Sequence, residues 1–382
     1  MRVIVYRILF LTAAALLLLS GCAQKAVHPL KDSGFASPAP ADEAERACLD
    51  FVQKRLIAQG GVHTNYLGGS SQGNLAEGHE VLGESQGLML RYYASTSNTQ
   101  AFSQTLNYVV QTLDTGTLLS YRVREDGSCY AANAALDDLR ILRGLIEGAQ
   151  AFSQFEYRAQ YQSYGERLYQ TNVQNDILLD CYDETLSFAG RVSTLCFSDL
   201  ETMHLLGTDD KRWTKVEKKM RGILKKGYLD DNFPLFQTRY YPDSETYATE
   251  RVNMVEALLT ALHLSQVDEC PATTVRWVKE ALTKGVIYGE YTPQGQPSST
   301  IESTAIYALC ALLGDAEGDR ALTNAAMEKM RALQITDKQS VLYGAFADAA
   351  TLQAYSFDNL MALTALRVQA KYVGPGEKGG GI

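Results

Sequence analysis

Several signals that usually give a protein's chemistry away are missing from this chain. Its seven cysteines form no Cys-x-x-Cys pair and its five histidines are scattered. A structural zinc site therefore has no support, and no metal or cofactor is expected. Cys48, Cys129, Cys181, Cys196, Cys270 and Cys310 suggest no disulfide pairing by their spacing; several sit in apolar helical contexts where buried thiols are common. There is no basic cluster, and the net charge is -9. These features argue against nucleic acid as a partner. An acidic body also suits a neutral or cationic glycan better than a polyanion. No exact repeat is visible, and tryptophan is scarce, with two residues against 22 tyrosines.

Long apolar runs are lacking too, with one informative exception. Arg2 and Arg7 precede an apolar run from Ile8 to Leu19, which ends in Leu19-Ser20-Gly21-Cys22. The run is short for a membrane span and reads as a secretory leader. Small residues before a cysteine match the bacterial lipobox, so a mature chain starting at Cys22, with lipid on that residue, is expected. The lipid would be its hold on the membrane and would place it outside the cytoplasm. Losing Arg2 and Arg7 with the leader takes the charge to about -11. Residues 23–45, with Gly34, Pro38 and Pro40, read as a flexible tether, and 373–382, glycine-rich, as a loose tail. The folded domain is expected over 46–372. Nothing calls for an oligomer, so a monomer is expected.

Helical periodicity fills that domain. Phe102, Leu106, Val109, Val110 and Leu113 mark one amphipathic helix, with Asn98 placed to cap it. Similar patterns predict helices near 42–59, 80–95, 98–114, 134–150, 152–170, 195–206, 209–225, 246–265, 271–284, 302–314, 317–333 and 350–371. Short extended runs interrupt them. Leu118–Val123 and Ser128–Tyr130 flank Asp126-Gly127, a hairpin signal. Leu178–Phe188 and Phe236–Tyr241 are further candidate strands. Twelve helices in alternation fit two concentric rings of six, so the fold class is all-α, an (α/α)6 barrel with short β-hairpins in its loops. The run Ser303–Leu313 has the small, apolar composition of an inner helix. The run Trp213–Met220, with one apolar edge and one charged face, has that of an outer one.

The run from Glu80 to Tyr93 is the most unusual of these. Leu82, Met89 and Tyr93 recur at helical spacing, yet Gly83 and Gly87 interrupt it. Each glycine costs roughly 1 kcal/mol against alanine inside a helix. Four residues apart, they share a face and clear a bare strip beside Glu84. A ligand lying against that strip is one explanation; close packing of a second helix is the other. The run Gly83-Glu84-Ser85-Gln86-Gly87-Leu88-Met89-Leu90 also resembles the Ser-Glu-Gly-x-Gly-Tyr-Gly-Met-Leu pattern of glycoside hydrolase family 8. In that family the glutamate is the general acid, a role the resemblance assigns to Glu84.

Other segments follow the same order. The family's Asp-x-Asp-Leu-x-Ile-Ala motif falls where this chain has Asp137-Asp138-Leu139-Arg140-Ile141, so Asp137 or Asp138 would bind the sugar at the cleavage point. A helix-capping role is the alternative for both. Leu195–Glu201 takes the place of the segment lining the family's cleft, with Asp199 either there or capping a helix. The family's Tyr-Asp-Ala-x-Arg-Val, whose aspartate is the general base, resembles Tyr247-Ala248-Thr249-Glu250-Arg251-Val252. Ala248 stands at the aspartate's position, leaving Glu250 as the substitute base. Asp358, in an apolar helical run, either faces the cleft or ties to Arg251. Tyr92, Tyr130 and Tyr247 are candidate sugar-stacking residues. The resemblance implies an extracytoplasmic, lipid-anchored glycoside hydrolase cutting a β-glucan-like polysaccharide or exopolysaccharide by inversion. A non-catalytic glycan-binding protein and a polysaccharide lyase remain alternatives.

Overall fold

A computed structural model describes residues 40–69 and 76–370 of the chain. Cys22, the leader, most of the tether and the 373–382 tail lie outside the described residues. Among the described residues twelve α-helices follow one another: α1 (Glu43–Phe51), α2 (Gly83–Ser95), α3 (Thr99–Tyr108), α4 (Ala135–Phe152), α5 (Phe155–Asn172), α6 (Leu200–Asp209), α7 (Lys211–Lys226), α8 (Met254–Ser265), α9 (Ala272–Lys284), α10 (Thr304–Ala316), α11 (Arg320–Arg331) and α12 (Ser356–Ala370). The first begins at Glu43, capped by Asp42, three residues before the expected domain start.

The even-numbered helices close a ring in which each touches the next, α12 returning to α2, and the odd-numbered helices lie outside it. Composition decides which helix goes where. Inner α8 and α10 are largely apolar on every face, and nearly all their residues are buried. Outer α7 and α11 bury one stripe and carry charge on the rest. A helix apolar on every face must be surrounded, whereas an amphipathic one needs only one covered side. The fold is thus the (α/α)6 barrel expected from the sequence.

Two expected helices are shorter than their patterns. Residues 246–248 and 252–253 are strands with a bend between them: Thr246–Ala248 pairs antiparallel with Arg239–Tyr241, which in turn pairs with Ser193–Thr194. Pairing across a hairpin overrides the weak helical pattern there. Residues 350–355 form a turn, in which Asp348 accepts from Ala350 N at 2.8 Å and Leu352 has a positive φ of 59°. The expected hairpin is present: Arg124 N donates to Ser128 O at 2.9 Å, and Gly127 takes the φ of +83° that suits glycine. Cys48, Cys129, Cys181, Cys196, Cys270 and Cys310 are all free thiols. Among the described residues no helix is long and apolar enough to cross a membrane.

Candidate active site

Because the inner helices alternate with outer ones running back, all six start at the same end of the ring. Their first turns bring Glu84, Asp137, Glu256 and Asp358 to that end. Carboxylates suit helix N-termini, where backbone N–H groups lack intrahelical partners. Two of them cap a neighbouring helix. No side chain of its own caps α2, and Asp137 on α4 accepts the backbone N–H of Glu84. Asp358 on α12 accepts Ala305 N at 2.8 Å and Ser303 Oγ at 2.7 Å, both at the start of α10. Asp358 is therefore tied to α10 rather than to Arg251, which pairs with Glu290 at 3.2 Å.

Arg140 joins the central pair. Its Nη1 lies 2.6 Å from Glu84 Oε2 and 3.7 Å from Asp137 Oδ1. Its guanidinium carbon is 5.7 Å from the centre of the Phe357 ring. Burial, followed by the charge of Glu84, pushes the Asp137 carboxyl up to about 7, with Arg140 pulling the other way. Both effects follow from crowding two carboxyls into one poorly solvated place with a single cation. Arg140 was not singled out from sequence. The available signal was a cation one helical turn after Asp137.

The two adjacent aspartates separate cleanly. Asp138 points the other way, accepting from Asn133 Nδ2 at 2.7 Å, and its other oxygen is buried without a partner among the described residues. Burial holds this carboxyl well above the usual range. It is a structural group, and Asp137 is the one brought to Glu84.

The bare glycine strip is occupied by protein, not left for a ligand. Gly83 lies against Asp137, and Gly87 lies against the backbone of Arg140 and Ile141. Close helix packing is the correct explanation. It sets α2 against α4 so that Glu84 and Arg140 meet.

Of the expected sugar-binding residues, Tyr92 is buried and donates to Glu45 Oε1 at 2.8 Å, away from the mouth. Tyr130 is half-buried beside Tyr121, ring centres 5.3 Å apart, and Arg124 stacks on it at 3.8 Å. Tyr121 O accepts from Gly83 N, so this aromatic pair adjoins the start of α2. Asp199 caps α6, accepting from Thr202 N at 2.9 Å. Burial raises its carboxyl, but His263, Arg143 and Thr202 outweigh that and hold it low. Tyr247 packs on outer helix α7, its hydroxyl donating to Ile223 O at 2.8 Å. Glu250 is exposed in the turn after the hairpin and has no contact with Glu84 or Asp137.

A second acidic cluster lies on the side of the ring where Ala248 sits. Ala248 is paired across the strands with Arg239. The cation of Arg239 acts on Glu256, at the start of α8, and on Asp180, which accepts from Thr194 Oγ1 at 2.7 Å. Burial raises both carboxyls. Sequence reasoning missed Glu256 and Asp180 because they lie outside the family-like motifs.

A solved structure described as "a novel alpha-amylase from Clostridium perfringens" is 33% identical, covering 85% of this chain and 97% of that one, with a TM-score of 0.80. The chain belongs to the same family as that protein. A family 8 glycosyl hydrolase, the endoglucanase Cel10 of Klebsiella pneumoniae, shares the fold at a TM-score of 0.61 and 15% identity, covering 86% of this chain and 100% of that one. Among curated proteins, "Putative lipoprotein YdaJ" of Bacillus subtilis (strain 168) is 26% identical over 295 residues, 75% of this chain and 78% of that one. No protein-family model matches the chain.

Proposed function

We propose that this glycosidase-fold protein is a lipid-anchored, extracytoplasmic hydrolase of glycosidic bonds with Glu84 as its general acid. The observation that carries the reading is the Glu84–Asp137 pair held by Arg140 at the open end of the ring. With both carboxyls ionised, two negative charges face one positive charge in a half-buried place. One bound proton removes that imbalance, and burial with the charge of Glu84 keeps it on the Asp137 carboxyl towards neutral pH, beside the group that would protonate the leaving oxygen. Glu84 is the more exposed of the two, with 21% of its side chain accessible against 12% for Asp137, and so is the one placed to reach a glycosidic oxygen. Asp137 then holds the sugar and shares the proton.

Inverting hydrolysis needs a second carboxylate to activate water, roughly 6.5–9.5 Å from the acid. We assign that role to Glu256 in place of Glu250, because Glu256 starts an inner helix at the mouth whereas Glu250 is exposed in a turn. The name of the Clostridium perfringens relative favours an α-linked glucan over the β-glucan expected from sequence. Anchoring through Cys22 is supported by the lipobox and by the name of the Bacillus subtilis relative. Ala248 favours a second reading, a glycan-binding protein that has lost its base.

Glu84→Gln tests both readings, with reducing ends measured on soluble starch, glycogen and barley β-glucan. Turnover of one of these should fall roughly 10²–10⁴-fold in a folded variant that still binds the glycan. Near-wild-type turnover in the folded variant would remove Glu84 from the mechanism. No turnover by the wild type on any of the three, with glycan binding retained, would favour the binding protein.

A further inference from the structure

Helix α7 contradicts the impression of a chain without a basic cluster. Between Lys211 and Lys226 it carries eight lysines and arginines and one glutamate, Glu217, in a protein of net charge -9. Some of these cations are neutralised: Arg212 by Glu166 and Asp210, Arg221 by Glu217, and Lys225 by Glu269 at 2.5 Å. Lys215, Lys218, Lys219 and Lys226 are exposed and make no ion pair among the described residues.

Those four line one cavity of about 500 Å³. Its floor is Gly222, where an added Cβ would meet no other atom within 4 Å. Lys215, Lys218, Lys219, Gly222 and Lys226 fall at i, i+3, i+4, i+7 and i+11, a single face of α7. The far wall is aromatic. Tyr240 and Tyr247, ring centres 5.0 Å apart, close the cavity, and the hydroxyl of Tyr247 is fixed to the α7 backbone. Asp176 and Glu245 also line it. Successive strand residues point to opposite faces, so Tyr240 faces this cavity while its neighbour Arg239 acts on Glu256. The strand pair thus divides the cavity from the mouth of the ring.

We propose that this cavity is a second, non-catalytic binding site for an anionic polysaccharide. Unpaired ammonium groups in a concave site attract carboxylate- or phosphate-bearing chains, and a tyrosine ring offers a flat apolar face for a sugar. A lipid surface is the poorer occupant. The apolar side of α7, with Trp213, Val216, Met220 and Leu224, is buried in the barrel and has nothing to insert. The site does not depend on catalysis at Glu84.

The test uses the full-length protein and its quadruple variant Lys215→Gln/Lys218→Gln/Lys219→Gln/Lys226→Gln, with Tyr247→Leu as a second variant. Binding to polygalacturonate is measured by calorimetry at two salt concentrations, against neutral dextran, duplex DNA and phosphatidylglycerol vesicles. The expected result is wild-type binding of polygalacturonate that weakens with salt and at least about a tenfold loss in the quadruple variant. Tyr247→Leu should lose several-fold affinity while keeping the salt dependence. Unchanged unfolding temperature and starch hydrolysis in the quadruple variant show that the fold survives. The proposal is overturned if the quadruple variant binds polygalacturonate as the wild type does, if dextran binds equally well, or if only vesicles or DNA are bound.

Discussion

Changing Gly87 to alanine tests whether helix packing builds the site. A Cβ at Gly87 would lie 2.6 Å from Arg140 Cβ, 2.7 Å from Arg140 C and 2.8 Å from Ile141 N, all closer than real Cβ atoms come. Two of the three atoms are backbone and cannot rotate aside, so α2 and α4 must separate. Overpacking of this kind costs about 1–3 kcal/mol, and the better helix propensity of alanine returns at most about 1 kcal/mol. The net loss of about 1–2 kcal/mol corresponds to a melting temperature lower by roughly 1–3 °C in a domain of this size. Turnover should drop as well, because the residue pushed away is the one that holds Glu84. Gly222→Ala is the control. It also lies inside a helix, but nothing stands within 4 Å of the new carbon. It should raise stability by about 0.5–1 kcal/mol. Calorimetric melting of both variants, with reducing-end assays, decides the matter. A Gly87→Ala protein as stable and as active as the wild type would refute the packing account.

Four further outcomes are expected. In the wild type kcat/KM should fall as pH rises through about 7, where Asp137, raised by burial and by the charge of Glu84, loses its proton. Asp137→Asn removes that titrating group and should abolish the limb near pH 7; an unmoved limb would show that Asp137 does not carry the proton. The same group affects folding. Its carboxyl is raised from 3.8 to about 7, so its stabilising contribution is complete below 3.8 and lost as pH rises through 7, and Asp137→Asn should melt higher than the wild type at pH 8. Glu256→Ala should abolish turnover and recover it with azide, which replaces the activated water, while Glu250→Ala stays near wild type; the reverse pattern would restore Glu250 as the base. Cys22→Ser should release the protein from the membrane fraction, and retention there would rule out the lipid as its anchor.

The barrel was legible in the chain before any contact was known. Helical period, largely apolar runs such as Met254–Ser265 and one-sided runs such as Lys211–Lys226 are local properties, and they separate inner from outer helices. The chain also shows that Glu84 begins a helix interrupted by glycines. What it left open were questions of direction. Asp137 and Asp138 are neighbours in the chain, yet a helix turns successive side chains about 100° apart. Only the packing of α2 on one side and α5 on the other shows that Asp137 meets Glu84 while Asp138 meets Asn133. Whether Gly83 and Gly87 face a ligand or a helix is likewise settled by what lies opposite, the backbone of α4. Tyr247 reads like a cleft residue in its motif but packs on α7, because strand pairing puts it on the opposite face from Ala248. Arg140, Glu256 and Asp180 became visible only in three dimensions, since a charge acts through space on groups far away in the chain.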